Sequence, residues 1–300
     1  HRSLFRVAVL VGLLCFCALG TPTLSTASPA ENTPIKGGTS ISLTLTEAVT
    51  SLTSVQCTGC IIAAGATLDV TDTIVQATLT SCTAEGPITI AATVMDTTST
   101  TQVINAAYTY DVTAPTATFS PLVSTTVGKT TAVTITFNEN IDPTSTVTQT
   151  DGPCTISTPS IAATKITFTI TGTGDGVANF AISARDTAGN PLATTTFAYT
   201  ISAANPAFSA VAPLQTVVIK SGTTLAVTFT KSVTITGTIG ASVGSLAVSG
   251  SATGTTINFT PSIPSSGSVT YTFTASNGAD AQSNQLTPFT LTYTADVTAP

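Results

Sequence analysis

Few residues in this chain could do chemistry. Cys57-Thr58-Gly59-Cys60 with Cys82 is the densest cluster. A redox CxxC motif needs a helix N-terminus to depress one thiol pKa, and no helical apolar period surrounds this one. Three cysteines without a fourth ligand make a poor zinc site. The expected outcome is a structural disulfide tying Cys82 to Cys57 or Cys60 in an oxidising compartment, with one cysteine left over. Cys154 stands apart and aligns with Cys60. The only histidine is His1. The rest of the chain therefore excludes Ser-His-Asp and Cys-His nucleophilic sites and every His-ligated zinc site. No glycine-rich phosphate loop sits between a strand and a helix. The chain is expected not to be an enzyme and to have no catalytic residues.

The sparse acids suggest one metal. Asp111 and Asp296 open two copies of the same pentapeptide, and Asp186, Glu139 and Asp142 fall in turns. Carboxylates and turn carbonyls are the oxygen donors that calcium prefers. The repeats argue against a site common to all: Glu47 and Glu139 align with Lys231, Asp96 and Asp186 with Asn277, and Asp111 with Ser202. Aspartate is also an ordinary turn residue that bonds its own backbone. No other cofactor is expected, and calcium on these five acids is the one possibility the sequence leaves.

These residues sit on a repeating frame. Asp111-Val112-Thr113-Ala114-Pro115 returns as Asp296-Val297-Thr298-Ala299-Pro300, and Tyr199 to Pro206 is a blurred third copy. Pro115, Pro206 and Pro300 recur with a period of about 90 residues, the size of one small β-sandwich. Each repeat opens with an alternating strand: Ile41, Leu43 and Leu45; Val133, Ile135 and Phe137; Leu225, Val227 and Phe229. Each ends on a strand carrying Tyr108, Tyr199 or Tyr293. Alternation of this kind puts one face in a core and one in water. The expected fold is all-β: three tandem immunoglobulin-like antiparallel sandwiches behind a signal peptide. The boundaries read as signal 1–20, flexible leader 21–33, repeats 34–112, 116–203 and 207–297, linkers 113–115 and 204–206, and the start of a further linker at 298–300.

Composition fits this frame. Charged residues are 7% and hydrophobic residues 42%. Threonine, β-branched and suited to the wet face of a strand, does the solubilising that charge usually does. The net charge of −6, with no basic cluster, argues against nucleic acid and anionic membrane surfaces as partners. Arg2, Arg6 and the apolar run Val7 to Leu19 read as a secretory signal, too short to span a bilayer. The chain starts without Met and stops within a linker, so it reads as a fragment of a longer protein.

The pentapeptide linker, Ala184-Arg185-Asp186-Thr187-Ala188-Gly189-Asn190 and Thr134-Ile135-Thr136-Phe137-Asn138-Glu139-Asn140-Ile141-Asp142 resemble bacterial immunoglobulin-like (Big-type) repeats. The resemblance covers about Pro34 to Pro300 and is clearest in the second repeat. It implies a secreted or cell-surface protein, an adhesive or structural stalk meeting an unknown protein or glycan ligand. The alternative it leaves is a spacer or carbohydrate-binding region of a secreted hydrolase. The chain departs from antibody-type domains in having no Trp and no paired core cysteines in repeats two and three.

Overall fold

A computed structural model describes residues 20–236, 238–249 and 253–298. Apart from Gly20, the expected signal segment lies outside them. Two compact units are distinguished: the chain up to Ala114 together with Arg185–Asn190, and Pro115–Ala184 together with Pro191 onward. The first unit contains one β-sandwich and the second unit two. The described residues are strands and turns, with a single 3₁₀ turn at Ala275–Asn277.

The second sandwich shows the plan. One sheet runs Ala117–Ser120, Thr130–Phe137, Lys165–Gly172, Cys154–Ile156. The other runs Thr126–Val127, Thr196–Ile201, Gly176–Ser183, Thr146–Asp151. This is the immunoglobulin arrangement, with the opening strand split between the two sheets. The first sandwich repeats it with Leu24–Ser28, Ser40–Leu45, Ile74–Cys82 and Cys60–Ile62 against Pro34–Ile35, Thr101–Tyr110, Gly86–Met95 and Ser51–Cys57. The third has Phe208–Ala212, Leu225–Ile235, Thr253–Ser262 and Ser245–Ser249 against Gly240–Ala241, Gly267–Phe273 and Phe289–Ala295.

The alternation in the sequence becomes the core. Leu43, Ile135 and Val227 are each about fully buried, as are Tyr199, Tyr271 and Tyr293. Each sandwich has its own hydrophobic cluster. The second centres on stacked Phe180 and Phe197, the third on stacked Phe273 and Phe289. The first has no Phe and relies on aliphatic side chains with Tyr108 and Tyr110. Truncating any one of these buried aliphatics to Ala would cost about 2–5 kcal/mol.

Two features differ from the sequence expectation. The stretch 21–33, expected to be a flexible leader, contains the first strand of the first sandwich. Leu24–Ser28 pairs antiparallel with Ser40–Leu45, placing Leu24 opposite Leu45 and Ala27 opposite Leu43. Leu24 and Ala27 pack on the core. Pro22 therefore precedes the first sandwich as Pro115 and Pro206 precede the others. Its Thr, Ser and Ala neighbours look like linker by composition, and cross-strand pairing overrides that. The second difference is in the third sandwich, where the 3₁₀ turn and the short strand Gly278–Ala279 are inserted before the turn that matches those of the other two.

One tie recurs in all three sandwiches. Tyr108, Tyr199 and Tyr293, each on the last strand, donate their hydroxyls to the carbonyls of Pro29, Pro121 and Pro213 at 3.1, 2.7 and 2.8 Å. Each proline follows the first strand and has a cis peptide bond before it. Burial raises the three phenol pKa values to about 12, so the donors stay protonated at any working pH. Tyr271 is different: its hydroxyl is buried with no hydrogen-bond partner among the described residues. An unmade buried hydrogen bond costs more than a made one contributes. Tyr199→Phe is therefore expected to lower the stability of the second sandwich by about 1 kcal/mol. Tyr271→Phe should leave the third unchanged or stabilise it. Chemical denaturation of the two variants tests this, and equal losses would contradict it.

Candidate functional site

The chemistry-bearing side chains gather where one sandwich hands over to the next. Three pieces recur. The first is a pin on the departing chain. Glu85, Asp175 and Ser266 each stand immediately before a turn glycine, Gly86, Gly176 or Gly267, whose φ of +128°, +146° or +134° suits glycine. Each accepts a backbone N–H from the outgoing linker: Val112 to Glu85 at 2.8 Å, Ala203 and Ala204 to Asp175 at 2.8 and 2.9 Å, and Val297 to Ser266 at 2.9 Å. No sequence motif advertised this position, because three different residue types fill it.

The second piece is a closed five-residue loop headed by aspartate: Asp96–Thr100, Asp186–Asn190 and Asp280–Asn284. In each, the first N–H donates to the fifth carbonyl at 2.9 to 3.0 Å, and the fourth N–H returns to the first carbonyl at 3.0 to 3.1 Å. The aspartate Oδ1 accepts the fifth N–H at 2.9, 2.8 and 2.9 Å. The fourth residue is left-handed in every copy: Ser99 at φ 65°, Gly189 at 89° and Ser283 at 65°. The counterpart of Asp96 and Asp186 is therefore Asp280, not Asn277 as sequence alignment suggests. The inserted turn displaced the alignment by three residues.

The third piece is the asparagine that closes two of these loops. In the first unit, Asn190 Nδ2 donates to the Asp111 and Thr113 carbonyls at 3.1 and 3.3 Å and to Asp186 Oδ2 at 2.8 Å. In the second unit, Asn284 Nδ2 donates to the Ser202 carbonyl at 2.7 Å and to Asp280 Oδ2 at 2.9 Å. Both asparagines are 5% exposed. Asparagine is needed because its amide donates to a linker carbonyl and to the aspartate at once. Close approach matters here too: a Cβ on Gly128 would lie 3.0 Å from the Gln282 carbonyl oxygen, in the loop that Asn284 closes.

The sequence candidates for calcium divide among these pieces. Asp111 and Asp296 each accept the N–H two residues on, Thr113 at 3.0 Å and Thr298 at 2.9 Å. Asp142 does the same with Thr144 at 2.7 Å. Asp186 is 1% exposed and heads its loop. Glu139 is half-buried in the second unit beside Asn138. Of these acids, Asp111 and Asp186 share the first unit and act on one another. Burial, and then the nearby charges of Asp186 and Glu85, push the Asp111 carboxyl above its ordinary range, against a lowering bond from Thr113. In the second unit Ser202 stands at the position of Asp111 and Lys231 at that of Glu139.

The cysteines are placed differently from expectation. The disulfide joins Cys57 to Cys60 across the Thr58-Gly59 turn, which carries the chain from one sheet to the other. Cys82 is a thiol directly opposite Cys60 in the strand ladder, and burial raises its pKa. Sequence separation alone did not distinguish these pairings. Cys154 is buried as a thiol at the start of the matching strand in the second sandwich. A concavity of about 390 Å³ on the first sandwich is lined by Ser28, Ser42, Thr67 and Gln76 among others and carries no titratable side chain.

No family model matches this chain, and no curated protein matches it. Among solved structures it is similar to FdeC, described as an Escherichia coli adhesin, at 15% identity over 92% of this chain and 96% of that one, with a TM-score of 0.40. It is similar to invasin, described as a bacterial integrin-binding protein, at 17% identity over 91% and 59%, with a TM-score of 0.37. It is similar to the D00-D0 domain of intimin at 13% identity over 60% and 99%, with a TM-score of 0.31. Likeness at this level carries no argument about activity, and the strand pairing itself defines the fold.

An acid whose folded pKa is raised favours the folded state below its ordinary pKa and loses that contribution as pH climbs through the raised value. Asp111 therefore works against the first sandwich at neutral pH. Asp111→Asn keeps the acceptor for Thr113 and removes the charge facing Asp186 and Glu85. It should raise the melting temperature of this sandwich at pH 7 by about 2 °C and leave it unchanged near pH 3. A millimolar calcium titration of both proteins extends the test. Calcium held by Asp111 would stabilise the wild type and not the variant.

Proposed function

We propose that this chain is a non-enzymatic structural stalk of a secreted or cell-surface protein, holding a binding tip for a protein or glycan ligand away from its anchorage. The observation that carries this reading is the clasp between the beginning and end of every sandwich. A chain under tension enters a sandwich at its first strand and leaves by its last. In the second sandwich Thr126–Val127 and Thr196–Ile201 lie parallel as neighbours, as do Pro34–Ile35 and Thr101–Tyr110 in the first. Parallel neighbours pulled from opposite ends are loaded along their length, so their hydrogen bonds bear together instead of parting one by one. Ser202 N–H to the Val127 carbonyl at 2.9 Å and Asp111 N–H to the Ile35 carbonyl at 2.9 Å lie on that path. The tyrosine-to-proline bonds fasten the same two segments.

Other features support the reading. The Cys57–Cys60 disulfide belongs to an oxidising compartment. The five-residue turns are closed by their own hydrogen bonds, which hold them against proteolytic nicking. The linker prolines lack an N–H and discourage a last strand from extending into its neighbour.

Single-molecule pulling on the whole chain tests the proposal. Three separate unfolding events are expected, each releasing roughly 300 Å of chain, the extended length of about 90 residues. Tyr199→Phe should lower the force of one event and leave two unchanged. Smooth extension without separate events would sink the stalk reading.

A further inference from the structure

Lys231 lies inside the long strand Leu225–Ile235, at the irregularity between Thr228 and Val233 that turns it out of the ladder. Its ammonium does not reach solvent freely: the side chain is 20% exposed. Four oxygens surround it. Asp175 Oδ2 is 2.6 Å away, the Ala204 carbonyl 2.7 Å, Ser202 Oγ 3.0 Å and Asp280 Oδ2 3.8 Å. Asp175, Ser202 and Ala204 belong to the second sandwich and its outgoing linker. Lys231 and Asp280 belong to the third.

We propose that these oxygens form a hard-cation cradle at the joint between the second and third sandwiches, and that Lys231 is its built-in cation. Two carboxylates, a hydroxyl and a backbone carbonyl are the donor set a calcium ion would take. The ammonium brings three N–H donors, which match the three nearest oxygens. Both carboxylates are also held from behind. Asp175 Oδ1 takes the Ala203 and Ala204 N–H groups, and Asp280 is bonded by Gln282, Asn284 and the Asn284 amide. Burial disfavours the Asp175 carboxylate, yet the Lys231 ammonium and those two N–H groups hold its carboxyl below the usual range. Those backbone bonds set both carboxylates in place independently of Lys231, whose ammonium supplies the opposite charge. A lysine carried on the chain fills the cradle at any external calcium concentration. The joint is fixed without metal.

Limited elastase digestion of the full chain at Ser202-Ala203-Ala204-Asn205 reads the joint directly. The wild type should be cut at the same rate in EDTA and in about 10 mM calcium, a level that saturates weak extracellular sites. Lys231→Met keeps the aliphatic stem and removes the charge. In EDTA it should be cut roughly tenfold faster, because the buried Asp280 carboxylate and the more exposed Asp175 lose their shared counter-charge. Calcium should then enter the emptied cradle and restore protection. A Met variant cut at the wild-type rate, or one that opens and ignores calcium, overturns the proposal. So does a wild type that calcium itself protects. If Lys231→Met fails to fold, Asp175→Asn takes its place, because the amide oxygen still accepts the two linker N–H groups. It should also open the joint in EDTA, and wild-type resistance in that variant would overturn the proposal.

Discussion

The structure depends on the bond between the beginning and end of each sandwich. A tyrosine on the last strand reaches the proline carbonyl after the first strand, three times over. That bond spans the point where the opening strand leaves one sheet and joins the other. The donor is buried, so water cannot replace the acceptor, and a lost bond leaves an unpaired carbonyl. Everything else in the sandwich can vary around it. The first core is aliphatic, and the second and third are built on stacked phenylalanines.

Charge is scarce in this chain, and where it is spent says what matters. Much of it lies at the handovers between sandwiches rather than in a cleft. Glu85 and Asp175 pin departing linkers. Asp186 and Asp280 head loops whose asparagines grip the linker carbonyls of the preceding sandwich. Asp96 heads the same loop, closed by Thr100 in place of asparagine. The two handovers also differ in charge. Asp111 faces other acids, whereas its counterpart Ser202 faces the ammonium of Lys231.

Much of this was legible in residue types alone. Alternation at Val133, Ile135 and Phe137 named a buried face, and the recurring tyrosines marked equivalent strands. Other parts were hidden for identifiable reasons. Leu24–Ser28 looked like linker, because a threonine-rich edge strand and a threonine-rich tether have the same composition. Asp280 was masked by a three-residue insertion that placed Asn277 in its column. The cysteine pairing depended on which sulfur a two-residue turn brings round, which spacing does not record.

By itself the sequence determined the class of the fold, the repeat and the absence of histidine chemistry after the first residue, because these follow from periodicity and inventory. Only the tertiary structure decided what the polar residues do. A hydrogen bond is set by distance and direction between groups far apart in the chain: Tyr199 meets Pro121, and Lys231 meets Asp175. Lys231 was read from sequence as the residue that spoiled a shared site. Its position at the joint shows a cation where the donor atoms called for one.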